Sequence, residues 1–155
     1  MLIDINAYTG HWPFRRLQGN TCEALLERMD KNGVDISVVS NIHGLFYKNT
    51  HSANEELYEE IRANKRFSNR LIPFAVINPT YADWKHDLDI CHKKFGMMGL
   101  RLYPQYHNYE LSDPSCIELV KMARDRGMPV SFAIRFIDIR QRSWIGISRE
   151  LSMSD

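Results

Sequence analysis

A regular alternation of short apolar runs with helical segments most constrains how this chain can fold. Runs of apolar and β-branched residues, which are typical of strands, begin near residues 2, 35, 71, 98 and 130, so one unit spans about 32 residues. Alternating strands and helices favour parallel strands joined by right-handed crossovers. Eight such units need about 256 residues, close to the roughly 250 of a (β/α)8 TIM barrel. The 155 residues therefore predict the first five strand–helix units of such a barrel, or else an open sheet.

The predicted elements follow from the apolar spacing and from the residues that end each run. The first strand, around Leu2, Ile3 and Ile5, is predicted to be buried. Asn20 followed by Glu23 predicts a capping box at the start of the first helix. No glycine-rich phosphate loop follows any predicted strand, which argues against a nucleotide-binding open sheet. Further strands are predicted over residues 35–40, 71–77, 97–103 and 129–134, and further helices over 52–66, 84–95 and 114–126.

Composition argues against several classes of function. The net charge of +1 gives no electrostatic basis for binding nucleic acid, and no apolar run approaches the roughly 20 residues of a membrane helix. Hydrophobic residues make up 44% of the chain, which fits one domain over residues 1–155 with a core of its own. Cys22, Cys91 and Cys116 are widely spaced, which predicts buried, reduced thiols in a cytoplasmic protein.

Several stretches, collinear along the chain, carry a resemblance to a known family. The most specific are Gly-Leu-Arg-Leu at residues 99–102 and Gly-Met-Pro-Val at residues 127–130, which leads into the fifth strand. The others are Ile3-Asp4-Ile5, Asn54-Glu55-Glu56-Leu57, Asn69-Arg70-Leu71-Ile72-Pro73-Phe74-Ala75 and Asn78-Pro79. Together they resemble the amidohydrolase-related family of metal-dependent hydrolases and decarboxylases. The resemblance implies a TIM-barrel fold and hydrolase chemistry.

The residues that hold a metal in that family are replaced in this chain. The family's first strand normally ends in Asp-x-His-x-His, where alternate histidines on one face of the strand hold a divalent metal. Asn6 and Tyr8 stand at those positions here, and Ala133 stands where the fifth strand normally ends in histidine. Amide and phenol groups bind a borderline metal such as zinc far more weakly than imidazole does. We therefore expect no family-type metal site and no cofactor; a divalent metal would need ligands that the family does not use.

Polar side chains gather at the predicted strand ends, where parallel α/β proteins bind their ligands. His11 and His43 are the candidate general acid–base residues. Arg101 and Arg135 are candidates for holding a carboxylate or phosphate through paired hydrogen bonds. Arg101 is expected inside the barrel, because a guanidinium facing the helix layer would lack a charge partner. The predicted substrate-binding residues are Asn6, Tyr8, Asn41, Arg101, Tyr103 and Arg135.

Each candidate also has a structural interpretation. The arginines could pair with carboxylates inside the barrel, and each histidine could cap a loop, since no Asp or Glu partner is visible near either histidine. The charged residues of the second helix, Glu55 and Glu56 among them, are predicted to form a solvated surface. The loop His11-Trp12-Pro13-Phe14 is predicted either to cover the pocket as a lid or to pack on the barrel rim.

These observations leave three hypotheses for function. The first is a hydrolase that acts on a small carboxylate-bearing or cyclic substrate without the usual metal ligands. The second is a catalytically silent relative that binds a small molecule or a protein, and the third is a truncated fragment of a longer hydrolase. The expected partner is a small molecule, with no nucleic acid and no membrane. A homo-oligomer is also expected, because open sheet edges and inward residues such as Ile5, Val39, Phe74 and Leu102 would be poorly covered.

Overall fold

The computed structural model describes residues 1–14, 16 and 18–133. Within these residues, five parallel strands form one curled sheet in the order β1-β2-β3-β4-β5, each strand pairing with the next along the chain. This sequential order is that of a TIM barrel, so the expected partial barrel is confirmed. The strands are β1 (Ile3–Thr9), β2 (Ile36–Asn41), β3 (Leu71–Ala75), β4 (Gly99–Leu102) and β5 (Val130–Phe132).

Helices follow the strands and cover the outer face of the sheet. In the described part of the chain, none of them is long and apolar enough to cross a membrane. They are α1 (Cys22–Asn32), α2 (His51–Arg62), α3 (Lys65–Arg70), α4 (Trp84–Lys93), α5 (Pro104–His107) and α6 (Pro114–Asp125), with a 3-10 turn over Ile42–Leu45 after β2.

Two predicted helix boundaries are wrong. The cap of α1 is Thr21, whose hydroxyl accepts from the backbone N–H of Ala24 at 3.2 Å. The expected capping residue, Asn20, instead bonds its amide to the ring of His11. The helix predicted over 52–66 ends at Arg62, because Asn64 takes an extended conformation and caps α3. The apolar face of α2 is confirmed, since Ala53, Leu57 and Ile61 are buried.

The main core lies between the outer face of the sheet and the helices. Val39 and Leu102 are fully buried there with Leu100, so the expectation that Val39 and Leu102 point inward is wrong. Side chains alternate along each strand, and the neighbours of these residues therefore face the inside of the curl. Phe74 pairs in register with Gly99, which leaves Arg101 on the same inner face two residues further along β4.

The first strand is more exposed than its sequence predicts. Leu2, Ile3 and Ile5 are 53%, 43% and 72% exposed, so the expected burial of this run is wrong. Among the described strands β1 pairs with β2 alone, and its register shifts between Asp4 and Ala7. One side of β1 is thus an open edge. A run of apolar residues is typical of a strand whose two faces are both covered by other elements. In the described part of the chain, the elements around β1 cover it only in part.

The cysteines are buried and free, as their spacing predicts. Cys22 and Cys91 lie in the main core, and Cys116 is buried on α6. Burial raises the pKa of the Cys91 thiol to about 12, so its thiolate is rare at neutral pH. These side chains act as small hydrophobic groups in the core.

The glycine that opens the Gly-Leu-Arg-Leu stretch, Gly99, has a steric explanation that can be tested. A Cβ atom at Gly99 would collide with the ring of Phe74. We expect Gly99→Ala to lower the free energy of unfolding by about 1–3 kcal/mol, measured by urea denaturation, because the ring must shift within a packed face. The double variant Gly99→Ala/Phe74→Leu should recover part of this loss. If the two substitutions changed the free energy of unfolding in a strictly additive way, the contact with the Phe74 ring would not be the reason for glycine at position 99.

Candidate active site at the strand ends

Arg101 of β4 reaches across the inner face of the sheet and holds the backbone of β1. Its Nη1 donates to the carbonyl of Ala7 at 2.9 Å, and its Nη2 donates to the carbonyl of Ile5 at 2.6 Å. The guanidinium lies 4.8 Å from the ring centre of Tyr8, and Arg101 is only 1% exposed. Burying a cation is costly unless it is hydrogen-bonded, and two carbonyls and an aromatic face offset part of that cost, while Nε has no hydrogen-bond partner among the described residues. Arg101 therefore bonds to backbone oxygens, and not to carboxylates inside the barrel as the structural alternative in the sequence analysis had it.

Asn6 and Tyr8 form a polar pair beside Arg101. The hydroxyl of Tyr8 donates to Oδ1 of Asn6 at 3.0 Å, and the backbone N–H of Asn6 donates to Oδ1 of Asp4 at 2.8 Å. Asn6 is exposed and Tyr8 is half-buried, so a ligand can reach this end of β1. The amide nitrogen of Asn6 can donate to such a ligand, and the neighbouring guanidinium favours an anionic group.

His43 links the loops after β1 and β2 to helix α2. Its Nε2 accepts from the backbone N–H of His11 at 2.9 Å, so the ring proton is on Nδ1, which donates to Oε2 of Glu56 at 2.9 Å. The amide of Asn41 donates to the same carboxylate oxygen at 3.0 Å. Glu56 is exposed, as predicted, but it is also the carboxylate partner of His43 that the sequence analysis did not find. Both ring nitrogens of His43 are engaged.

Helix α2 supplies polar residues that the sequence analysis did not connect to the site. Asn54 is fully buried, donates from Nδ2 to the carbonyl of Val76 at 2.8 Å and accepts from the N–H of Val76 at 2.9 Å. With Glu56, it fixes the start of α2 against the strand ends. A helix that follows a strand begins beside the carboxyl end of that strand. Polar residues in the first turns of α2 could therefore have indicated, from the sequence alone, that Asn54 and Glu56 lie near the strand ends.

His11 is the more accessible of the two candidate acid–base residues. It is exposed, whereas His43 is half-buried. The two rings stack with centroids 6.0 Å apart, and the amide of Asn20 bonds to the ring of His11. Of the two, His11 is the imidazole that solvent reaches, whereas His43 uses both nitrogens in the linkage.

The loop that follows β1 packs on the barrel rim. Trp12 is 7% exposed and contacts Phe14 and Phe46 edge to face, with ring centroids 5.6 and 5.4 Å apart. Tyr103 is fully buried in the same aromatic cluster, and this burial raises the pKa of its phenol well above the ordinary value. Tyr103 and the buried Asn41 are thus enclosed in the rim, while Asn6 and His11 face solvent.

Arg135 lies outside the described residues, so its role as a substrate-binding residue stays a prediction. His51 lies 3.1 Å from the carboxylate of Asp87, a pair that joins α2 to α4 and that the sequence analysis did not find. Burial raises the pKa of Asp87, and His51 partly offsets this effect.

The residues of β1 do not fit a divalent metal. The side chains of Asn6 and Tyr8 bond to each other, and the guanidinium of Arg101 lies over the Tyr8 ring. A fixed positive charge at this position opposes a second cation, and amide and phenol oxygens are poor ligands for zinc. In the part of the chain that the structure describes, no three His, Cys, Asp or Glu side chains are grouped so that they could hold a metal.

Solved structures with a similar fold are amidohydrolase-fold proteins. A Staphylococcus aureus protein assigned as an amidohydrolase is 15% identical, with a TM-score of 0.70 over 90% of this chain and 49% of its own. The 2,6-dihydroxybenzoate decarboxylase from Rhizobium is 16% identical, with a TM-score of 0.65 over 93% of this chain and 52% of its own. The 4-oxalomesaconate hydratase from Rhodopseudomonas palustris is 19% identical, with a TM-score of 0.63 over 84% of this chain and 51% of its own.

These likenesses define the fold class of the chain. No protein-family model matches the chain, and no curated protein matches it in sequence. The chain spans about half the length of the solved structures that it resembles. It has the fold of half a TIM barrel of the amidohydrolase type, as the sequence resemblance implies.

The composition of the β1 end leads to a prediction about metal content. We expect the purified protein, after dialysis, to hold less than about one-tenth equivalent of zinc, because the amide and phenol groups of Asn6 and Tyr8 bind it weakly. Elemental analysis by mass spectrometry measures this directly. Stoichiometric zinc, iron or manganese would contradict the prediction.

Proposed function

We propose that this chain forms the N-terminal half of an amidohydrolase-family barrel that hydrolyses a small carboxylate-bearing or cyclic compound without a metal held by β1. The Asn6–Tyr8 pair binds the carboxylate or the ring of the substrate, and His11 transfers the proton. The observation that supports this most is the pair of an exposed Asn6 and a half-buried Tyr8 beside a buried guanidinium at the carboxyl end of β1. The solved neighbours contribute the class of substrate, since one of them acts on 2,6-dihydroxybenzoate, a cyclic carboxylate.

In this proposal Arg101 is a positioning residue. Its Nη1 and Nη2 donate to carbonyls of β1, and its guanidinium supports the ring of Tyr8 from a buried position. The positive charge therefore acts on a ligand at Asn6 and Tyr8 from a short distance, in surroundings that screen charge less than bulk water does. The same two hydrogen bonds keep β1, and with it the polar pair, at a fixed place in the sheet.

Ligand binding without catalysis is the second candidate. It is favoured by His43, whose ring nitrogens are bonded to the His11 backbone and to Glu56 and so have no lone pair or proton free for a substrate. The two candidate functions, hydrolysis and binding without catalysis, differ only in whether the bound compound is turned over. Coumalate, a lactone that carries a carboxylate, tests this difference, because hydrolysis of its ring changes its ultraviolet spectrum.

The catalytic part of the proposal predicts the effect of removing one imidazole. We expect the protein to hydrolyse coumalate and His11→Gln to lower kcat by about 10²–10⁴, the usual range for a lost general acid–base group. His92→Gln, an exchange of a histidine on α4, is the matched control and should keep full activity. Absence of turnover with intact binding would favour the silent relative, and equal activity of His11→Gln would remove His11 from the mechanism.

The binding part predicts the effect of removing one hydroxyl. Tyr8→Phe loses the bond to Asn6, so we expect it to weaken the binding of 2,6-dihydroxybenzoate by about 0.5–1.5 kcal/mol, measured by calorimetry. Tyr58→Phe removes a hydroxyl that bonds Arg62 on the outer helix layer and should leave the affinity unchanged. If both variants bind as the parent protein does, the ligand does not use this end of β1.

An experiment can distinguish a positioning role of Arg101, in which it holds β1, from direct contact between its guanidinium and the ligand. Lysine lacks the planar fork that reaches two carbonyls, so we expect Arg101→Lys to lower Tm and, because the Asn6–Tyr8 pair loses its support, to weaken ligand binding together with it. Thermal unfolding and calorimetry on the same samples give both quantities. A loss of about 1–3 kcal/mol in affinity without a change in Tm would place the guanidinium in contact with the ligand.

A further inference from the structure

The ring of His43 holds the backbone of the loop after β1 through a hydrogen bond that only a neutral ring can accept. The backbone N–H of His11 donates to Nε2 of His43 at 2.9 Å. Because a backbone N–H is always a donor, Nε2 must carry a lone pair, and the single ring proton lies on Nδ1. That proton is donated to Oε2 of Glu56 at 2.9 Å. The neutral ring of His43 therefore makes both contacts at once.

A second proton on this ring is incompatible with one of the two contacts. In an imidazolium both nitrogens are donors, so an N–H at Nε2 would face the N–H of His11. The contact with Glu56 becomes stronger, because hydrogen bonds between two charged groups are stronger than those between neutral groups. The carboxylate is also held in place, since the amide of Asn41 donates to the same oxygen at 3.0 Å. The protonated ring of His43 thus stays with Glu56, and the contact with His11 opens.

The groups around the ring of His43 favour this direction of change. Among the described residues, the titratable side chains that bond to the ring or lie against it are Glu56 from α2, His11 from the loop after β1, and Tyr47 from the segment after β2. The side chain of His43 is 23% exposed, so water can bring a proton to it. A charge on the neighbouring ring of His11, 6.0 Å away between centroids, would repel the imidazolium and add to the opening.

The anchors of the loop limit how far this opening extends. Trp12 is buried and packs against Phe14 and Phe46, so it holds the loop on one side of His11. On the other side, the N–H of Gly10 donates to the carbonyl of Asn20 at 2.7 Å. His11 lies between these anchors and is exposed, so the peptide that carries its N–H can turn toward water. The change therefore concerns the backbone and the ring of His11 and not the whole loop.

From these contacts we propose that His43 is a pH-dependent switch that controls the position of His11. When the ring of His43 is neutral, it binds the N–H of His11 and so fixes the place of the His11 imidazole beside the end of β1. When the ring takes up a second proton, it keeps Glu56 and releases this N–H to water. The switch is a property of the free protein, so it does not depend on the function proposed above.

Solvent-exchange NMR of the backbone amide of His11 tests the switch on the unmodified protein. The exchange rate is measured between about pH 5 and 8, where histidine ordinarily changes charge, and is divided by the rate of an unstructured peptide at the same pH. We expect the protection of this amide to fall at least fivefold toward low pH, with the same midpoint as the nitrogen-15 signals of the His43 ring. At the high end of the range, those signals should show the proton on Nδ1. Constant protection, a different midpoint, or a proton on Nε2 would overturn the proposal.

Three glutamine variants separate His43 from the other histidines. His43→Gln has no titrating ring, so the protection of the His11 amide should not depend on pH, whether or not the glutamine side chain accepts the bond. His11→Gln keeps the backbone N–H and should show the same pH-dependent loss as the parent protein. His51→Gln is the matched control, because His51 also bonds a carboxylate, that of Asp87, and it should behave as the parent does. A loss that survives in His43→Gln, or that is absent from either of the other variants, would overturn the proposal.

Discussion

The bond between the Arg101 guanidinium and the backbone of β1 is the interaction on which the inner face of this half-barrel depends. It joins the fourth strand to the first across the curl, and it satisfies a cation that is 1% exposed with the carbonyls of Ile5 and Ala7. Removing the guanidinium would leave the carbonyl of the buried Ala7 without this partner, which costs free energy. Tyr8 is placed by the same contact, since its ring lies under the guanidinium. The position of the candidate substrate pair is thus a consequence of how β1 is held.

A second set of polar contacts fixes the loops above the strands. Asn54 bonds both backbone groups of Val76, and Glu56 receives His43 and Asn41. The aromatic cluster around Trp12 and Tyr103 then closes the space between these loops. Histidine and asparagine side chains that look catalytic in the sequence are used here to join loops. The exposed groups at β1 remain accessible to ligands.

The sequence predicts the order of elements well because apolar periodicity reflects burial against the helix layer. The buried faces of α1, α2 and α4 follow from it directly. It fails at β1, where Ile5 reads as a core residue and is 72% exposed, because the pattern of a strand does not reveal which neighbours are present. It also fails for Glu56 and His107. Their partners, His43 and Gly44, lie 13 and 63 residues away along the chain on other elements, and no periodic pattern reveals such contacts.

The most direct test of this account is native-state hydrogen exchange on the variant Arg101→Met. If Arg101 holds β1 in the sheet, peptides from β1 should exchange at least tenfold faster than in the parent protein, while peptides from β3 keep their protection. Arg28→Met is the matched control, because Arg28 also donates to backbone carbonyls, those of Gln18 and Gly19, but on the surface at α1. It should leave β1 unchanged. Unaltered exchange of β1 in Arg101→Met, or an equal increase throughout the sheet, would contradict the account.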